Sequence, residues 1–137
     1  MTTRSKGNAL ERKAQLQLEA QGYLVERARP QIVWIGPGRP ITKRVDLFGC
    51  FDLLALKAVP LELRVIQVCA DVGGHAAERR RKIEQFAQQS GADRTEARTL
   101  TLELWRHRGG RARKADRLKR GFIVETYSCG EWTSNEE

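Results

Sequence analysis

The chain has 137 residues, 40% apolar and 31% charged, a size and balance that suit one globular domain and leave no room for two comfortable cores. Lysine and arginine total 25 against 17 acids, and the resulting net charge of +8 points to a polyanionic partner, nucleic acid first. Cys50, Cys69 and Cys129 form no CxxC pair, which excludes a disulfide framework or zinc ribbon and suits a cytoplasmic location; no apolar run approaches the ~20 residues of a membrane span, so no membrane contact is expected.

Between Ser5 and Gln21, the apolar residues Leu10, Ala14 and Leu18 recur at helical spacing ahead of Gly22, which predicts an amphipathic first helix. Glu11 lies about two turns before Leu18, at the edge of the stripe bound for the core, where a carboxylate needs a use or a partner. Tyr23 to Ala28 alternates as a strand, and Gln31 to Ile35 is a second short apolar segment closed by Gly36-Pro37-Gly38-Arg39-Pro40. That turn lacks the GK[ST] ending and following helix of a phosphate-binding loop, so it reads as a hairpin tip.

Leu47 to Lys57 and Leu63 to Ala70 are rich in Val, Ile, Leu and Phe and are joined by Ala58-Val59-Pro60, which predicts two antiparallel central strands. Gly73-Gly74 breaks the chain before a second helix, His75 to Gln89, whose Ala76, Ile83, Phe86 and Ala87 share a face and which Gly91 closes. Thr99 to Trp105 and Gly121 to Tyr127 read as further strands, separated by a basic stretch, 106–120, that suits a loop or hairpin arm. The acidic tail, 131–137, is expected to fray. The order of helix, three strands, helix, then one or two strands predicts a single α/β domain over 1–137, with a mixed central sheet flanked by helices.

Gln67 and Cys69 are two residues apart on a predicted strand and therefore share a sheet face. Asp52 opens the apolar run of the preceding strand, and a short connection brings it beside them. Asp46 and Asp71 flank the same strands and read equally well as loop caps. No local ligand spacing links Cys69 to Cys50, Cys129, His75 or His107, so buried thiols are the simpler reading, and two histidines without GxSxG give no hydrolase triad.

Glu11 on a helix, Asp52 on a strand and Gln67-Val68-Cys69 on the next resemble the PD-(D/E)xK nuclease superfamily, most closely small archaeal-type Holliday junction resolvase-like and VRR-NUC-like nucleases. The resemblance covers residues 5 to 107. It implies a restriction-endonuclease-like αβββαβ core and a metal-dependent endonuclease that hydrolyses DNA phosphodiester bonds, selective for duplex or branched DNA. It also implies that Glu11, Asp52 and Gln67 hold Mg²⁺ or Mn²⁺. Cys69 stands where these families carry lysine, and Arg79, one turn before Ile83 on the second helix, is the candidate replacement cation. Arg79 reads equally well as a side chain whose stem covers the sheet. The alternative to the enzyme is a nuclease fold that binds DNA without cutting.

Arg80, Arg81 and Lys82 continue a cationic turn of that helix, and Arg111, Arg113 and Lys114 form a second patch that Arg4 and Lys6 extend; contacts of this kind would go to phosphates. Trp34, Trp105 and Trp132 are expected to fill core or interface positions rather than to stack on single strands. Relatives of the resolvase type are dimers, which predicts a symmetric pair.

Overall fold

The computed structural model describes residues 3–70, 75–94, 99–108 and 121–136. The first helix, α1, spans Thr3–Ala20, and the strands β1, Leu24–Arg27, β2, Pro30–Trp34, and β3, Pro40–Arg44, follow it. Next come β4, Leu53–Lys57, and β5, Glu62–Ala70, then the helix α2, His75–Ser90, with a 3-10 turn at Ala92–Arg94. The chain finishes with β6, Leu100–Arg108, β7, Gly121–Ser128, and β8, Glu131–Glu136.

Six strands form one sheet in the order β1-β4-β5-β6-β7-β8, and β2 pairs only with β3 in a separate ribbon. Every neighbour in the large sheet is antiparallel except β5 and β6, which run parallel with Gln67 beside Leu104 and Cys69 beside Arg106. A parallel pair needs a crossover, and α2 supplies it. The protein is thus a mixed α/β fold whose mostly antiparallel central sheet is flanked by helices.

Alternation along the strands divides the core between two faces. On one, Ala14 and Leu18 of α1 pack on Leu53, Ala55, Ile66, Val68, Trp105, Phe122 and Val124; on the other, Ile83 and Ala87 of α2 pack on Phe51, Val65, Cys69, Leu102, Leu104 and Tyr127. Leu18 is fully buried, so it contributes about 1.5–3 kcal/mol to holding α1 on the sheet.

Four elements differ from the sequence-based expectation. The strand expected from Leu47 begins only at Leu53, because Asp46–Phe51 forms a closed turn in which Gly49 N–H donates to the Asp46 carbonyl and Phe51 N–H to that of Leu47. Phe48 and Gly49 adopt left-handed φ values of 54° and 71° there, which no strand allows. Pro40, read as the last residue of a turn, instead opens β3, which pairs with β2, and with this extra pair five strands rather than three lie between the helices. Residues 131–136, expected to fray, pair with β7 as β8, anchored by Trp132, whose ring lies 5.1 Å from that of Tyr127 and whose Nε1 donates to Glu84 at 2.9 Å. Finally, Arg106–Arg108 belongs to β6, whereas 109–120 lies outside the described residues.

Candidate functional site

Register fixes which ends of the strands meet. Arg27 pairs with Leu53, Leu53 with Ile66, Ala70 with His107 and Arg108 with Gly121. The last residues of β1, β5 and β6 and the first of β4 and β7 therefore share one end of the sheet. This end holds every strand-borne candidate, and it is also where α2 begins, the β2–β3 ribbon departs and the basic segment 109–120 is attached.

Asp52 sits where β4 starts, and its backbone continues both ladders: its N–H donates to the Ile66 carbonyl and its carbonyl accepts from Ala28 N–H, both at 2.8 Å. Beyond this point the turn 46–51 carries the chain off the sheet, and Val68 N–H would lose its strand partner. The Asp52 carboxylate takes over, accepting from Val68 N–H at 2.8 Å, and it is only 4% exposed. A buried, hydrogen-bonded carboxylate at a ladder's end is a structural cap and, at the same time, a negative group held at the mouth of the sheet.

Glu11 projects from α1 toward the same end. It is 4% exposed, accepts a hydrogen bond from Arg27 Nη2 at 3.1 Å, and lines a cleft of about 580 Å³ between α1 and β1 with Asn8, Arg12, Gln15 and Arg29. Gln67 lies across the sheet from it. Ile66 and Val68 face α1, so Gln67 turns toward α2, where it lines a cavity of about 170 Å³ with Asp46, Cys50, His75, Arg79 and Lys82. Asp46, a strand-end acid in the sequence, thus shares this cavity with Gln67 and Arg79, and so does Glu78 of α2.

Cys69 is 4% exposed among the apolar residues under α2, and its ladder neighbour is Arg106. Arg106 binds Glu125 through Nε at 2.9 Å, and Arg80 grips the same carboxylate through Nε at 2.6 Å and Nη2 at 2.5 Å. Burial opposes the Glu125 charge, but the two guanidiniums outweigh it and hold the carboxyl below its usual range. Arg80, expected to meet phosphate, is thereby committed to the fold, whereas Arg81 and Lys82 are exposed. Burial pushes the Cys50 thiol up to about 11, so it stays protonated at neutral pH and is no nucleophile. His107 is held by Lys13 Nζ at 3.0 Å.

Asp71, Arg111, Arg113 and Lys114 lie outside the described residues, as do the side chains of Arg4 and Lys6. Trp105 is fully buried and Trp132 half-buried, but Trp34, expected in a core or interface, is 65% exposed on the ribbon.

Glu11 and Gln67 open into different cavities on opposite faces, and among the described residues no three His, Cys, Asp or Glu side chains gather to hold a metal ion. As folded, these residues do not fit the three-ligand cation centre that the sequence resemblance implies. Arg106 and the Arg80–Glu125 pair escaped sequence reading because the β5–β6 register that sets Arg106 beside Cys69 has no local signature. Arg27 could have been found, since it shares the alternating face of Val25 on a half-buried strand. Among the described residues no helix is long and apolar enough to cross a membrane. No family profile, curated protein or solved structure matches the chain.

Proposed function

We propose that this protein is a nuclease-like DNA-binding protein that meets the backbone of duplex or branched DNA at the end of the sheet bearing Asp52. The observation that carries the reading is convergence. Arg12 comes from α1, Arg29 from the chain just after β1, and Arg79 and Lys82 from α2, all at this end, and the sequence that joins β6 to β7 holds six cations against one acid. Cations from separate elements around a common edge suit a phosphate track, with affinity from counterion release and little base reading. The antiparallel run β1-β4-β5, the α2 crossover and the parallel return into β6 support the reading of a restriction-endonuclease-like αβββαβ core, in which β2–β3 would be an insertion.

The second reading is a Mg²⁺- or Mn²⁺-dependent endonuclease. What favours it is that Glu11 and Asp52, each already hydrogen-bonded within the fold, still put two carboxylates at one end of the sheet, and carboxylate oxygens are the ligands that Mg²⁺ takes. Against it stand the separate cavities of Glu11 and Gln67 and the buried thiol at Cys69. The test is incubation with linear, single-stranded and four-way DNA in Mg²⁺, Mn²⁺ or EDTA, with Asp52→Asn alongside. Binding without nicking in every metal supports the first reading; metal-dependent nicking abolished by Asp52→Asn replaces it with the second; failure to bind any DNA defeats both. Light scattering with and without four-way DNA tests the symmetric dimer that such a substrate invites.

A further inference from the structure

The β2–β3 ribbon is the one described part of the sheet structure whose strand residues are exposed throughout β2, and its composition is unlike a solvated hairpin. Ile32 is 68% exposed, Trp34 65% and Ile35 64%, with Val33 and Ile41 also open to solvent. Residues 29–45 carry Arg29, Arg39, Lys43 and Arg44 and not one acid. Alternation puts Pro30, Ile32 and Trp34 on one face with Thr42 and Pro40 of β3, and Gln31, Val33, Ile41 and Lys43 on the other, so apolar side chains and a cation share the ribbon. Its turn is closed by Ile35 N–H to the Arg39 carbonyl at 3.2 Å and Arg39 N–H to that of Gly36 at 3.1 Å, with Gly38 left-handed at a φ of 71°.

From these features we infer that the ribbon is a DNA-engaging arm, which lies in a groove at a branched or unpaired site and sets Trp34 and Ile32 against an unstacked base. The inference rests on the DNA-binding reading and adds the form of DNA preferred and the residues that select it. Geometry suits it: a two-stranded ribbon is narrow enough for the major groove, about 12 Å wide, and strands of five residues reach about 17 Å along it. Chemistry suits it as well, since phosphates would meet Arg39 and Lys43, whereas the exposed indole and branched aliphatic side chains gain only by leaving water for a base or sugar face. The arm also continues the proposed surface. It leaves β1 and returns to β4 at the end of the sheet that holds Asp52, and Pro30 at its root lines the cleft of Glu11 and Arg27. A second copy of this chain is the poorer occupant, because two acid-free ribbons would bring cation against cation.

The experiment measures affinity for a bulged duplex, a four-way junction and a fully paired linear duplex of equal length, using wild type, Trp34→Ala and Trp34→Phe, with oligomeric state recorded for each. Trp34→Ala is expected to weaken binding to bulged and four-way DNA by about 10-fold or more and to linear duplex by less than about threefold, with the salt dependence unchanged. Tryptophan fluorescence of wild type, excited selectively over tyrosine, should be quenched by bulged DNA, and this quenching should vanish in Trp34→Phe, which leaves Trp105 and Trp132 as the emitting indoles. If wild type binds DNA with steep salt dependence while Trp34→Ala binds all three forms unchanged, the arm is wrong and the DNA-binding reading survives. If no DNA binds wild type, both fall. If Trp34→Ala turns a dimer into a monomer and leaves DNA affinity intact, the ribbon is a self-association surface and the proposal is overturned.

Discussion

The six-stranded sheet and the two-stranded ribbon treat charge in opposite ways. Within the sheet, buried acids are answered by arginines. Glu103, 2% exposed, accepts from Arg64 Nε and Nη2 at 2.7 and 2.5 Å, from Thr101 Oγ1 at 2.5 Å and from Trp105 Nε1 at 3.1 Å, and Glu125 is gripped by Arg80 and Arg106 on the other face. The ribbon has cations and no acids, and its apolar side chains meet water. The contrast separates a scaffold, whose polar groups satisfy one another, from a surface whose groups, on the DNA-binding proposal, are matched to something outside the chain.

Removing one member of a buried network should do the most damage. Glu103→Ala leaves the Arg64 guanidinium buried without its partner, and chemical denaturation should register a loss of about 3–5 kcal/mol. Burial disfavours the Arg64 charge, but Glu103 more than restores it, so the guanidinium is held above its usual range and stays charged in the variant as well. A loss below about 1 kcal/mol would mean that the network contributes little beyond packing.

Asp52 sharpens the comparison because it belongs to the scaffold and to the proposed surface. Asp52→Ala deprives Val68 N–H of its acceptor and should cost about 1–3 kcal/mol, whereas Asp52→Asn keeps a carbonyl oxygen for that N–H and should cost less than about 1 kcal/mol. Thermal unfolding of the pair distinguishes a cap from a group held only for its charge.

Glu125 gives the scaffold an acid-sensitive component. Its folded carboxyl lies below the unfolded value of about 4.3, so the stability it contributes is complete above that pH and is lost as pH falls through the lower folded value. Urea midpoints measured from pH 7 down to about pH 3 should fall less steeply for Glu125→Gln than for wild type. The ribbon should be the quietest region of all: Ile32→Ser and Trp34→Ala, both at exposed positions, should change stability by no more than about 0.5 kcal/mol, as judged by thermal melts.

The same contrast explains what could be read from the sequence. β5 and α2 are legible because each carries a plain signal: a short run rich in Val, Ile and Leu from Leu63 to Ala70, and Ala76, Ile83 and Ala87 at helical spacing. The run from Leu47 to Lys57 misleads because apolar content reports burial and not direction, and the left-handed Phe48 turns the chain before β4 starts. For Trp34 the expectation of a core or interface position narrows, since among the described residues no helix covers its face, which removes the core and leaves the interface. Glu11 and Asp52 were recognisable as acids in apolar surroundings, but their partners Arg27 and Val68 N–H depend on how strands align. Gln67 and Cys69 do share a face by alternation, and which helix covers that face follows from the crossover rather than from any residue on the strand.

The most direct test of a DNA-facing end is the salt dependence of affinity for a junction or duplex, measured for wild type and for the double variant Arg79→Ala, Lys82→Ala. Wild-type affinity is predicted to fall by about 100-fold or more between roughly 50 and 200 mM salt, and the double variant to show a log-log slope shallower by about 2. A flat titration, or a slope that the two substitutions leave untouched, would contradict the account.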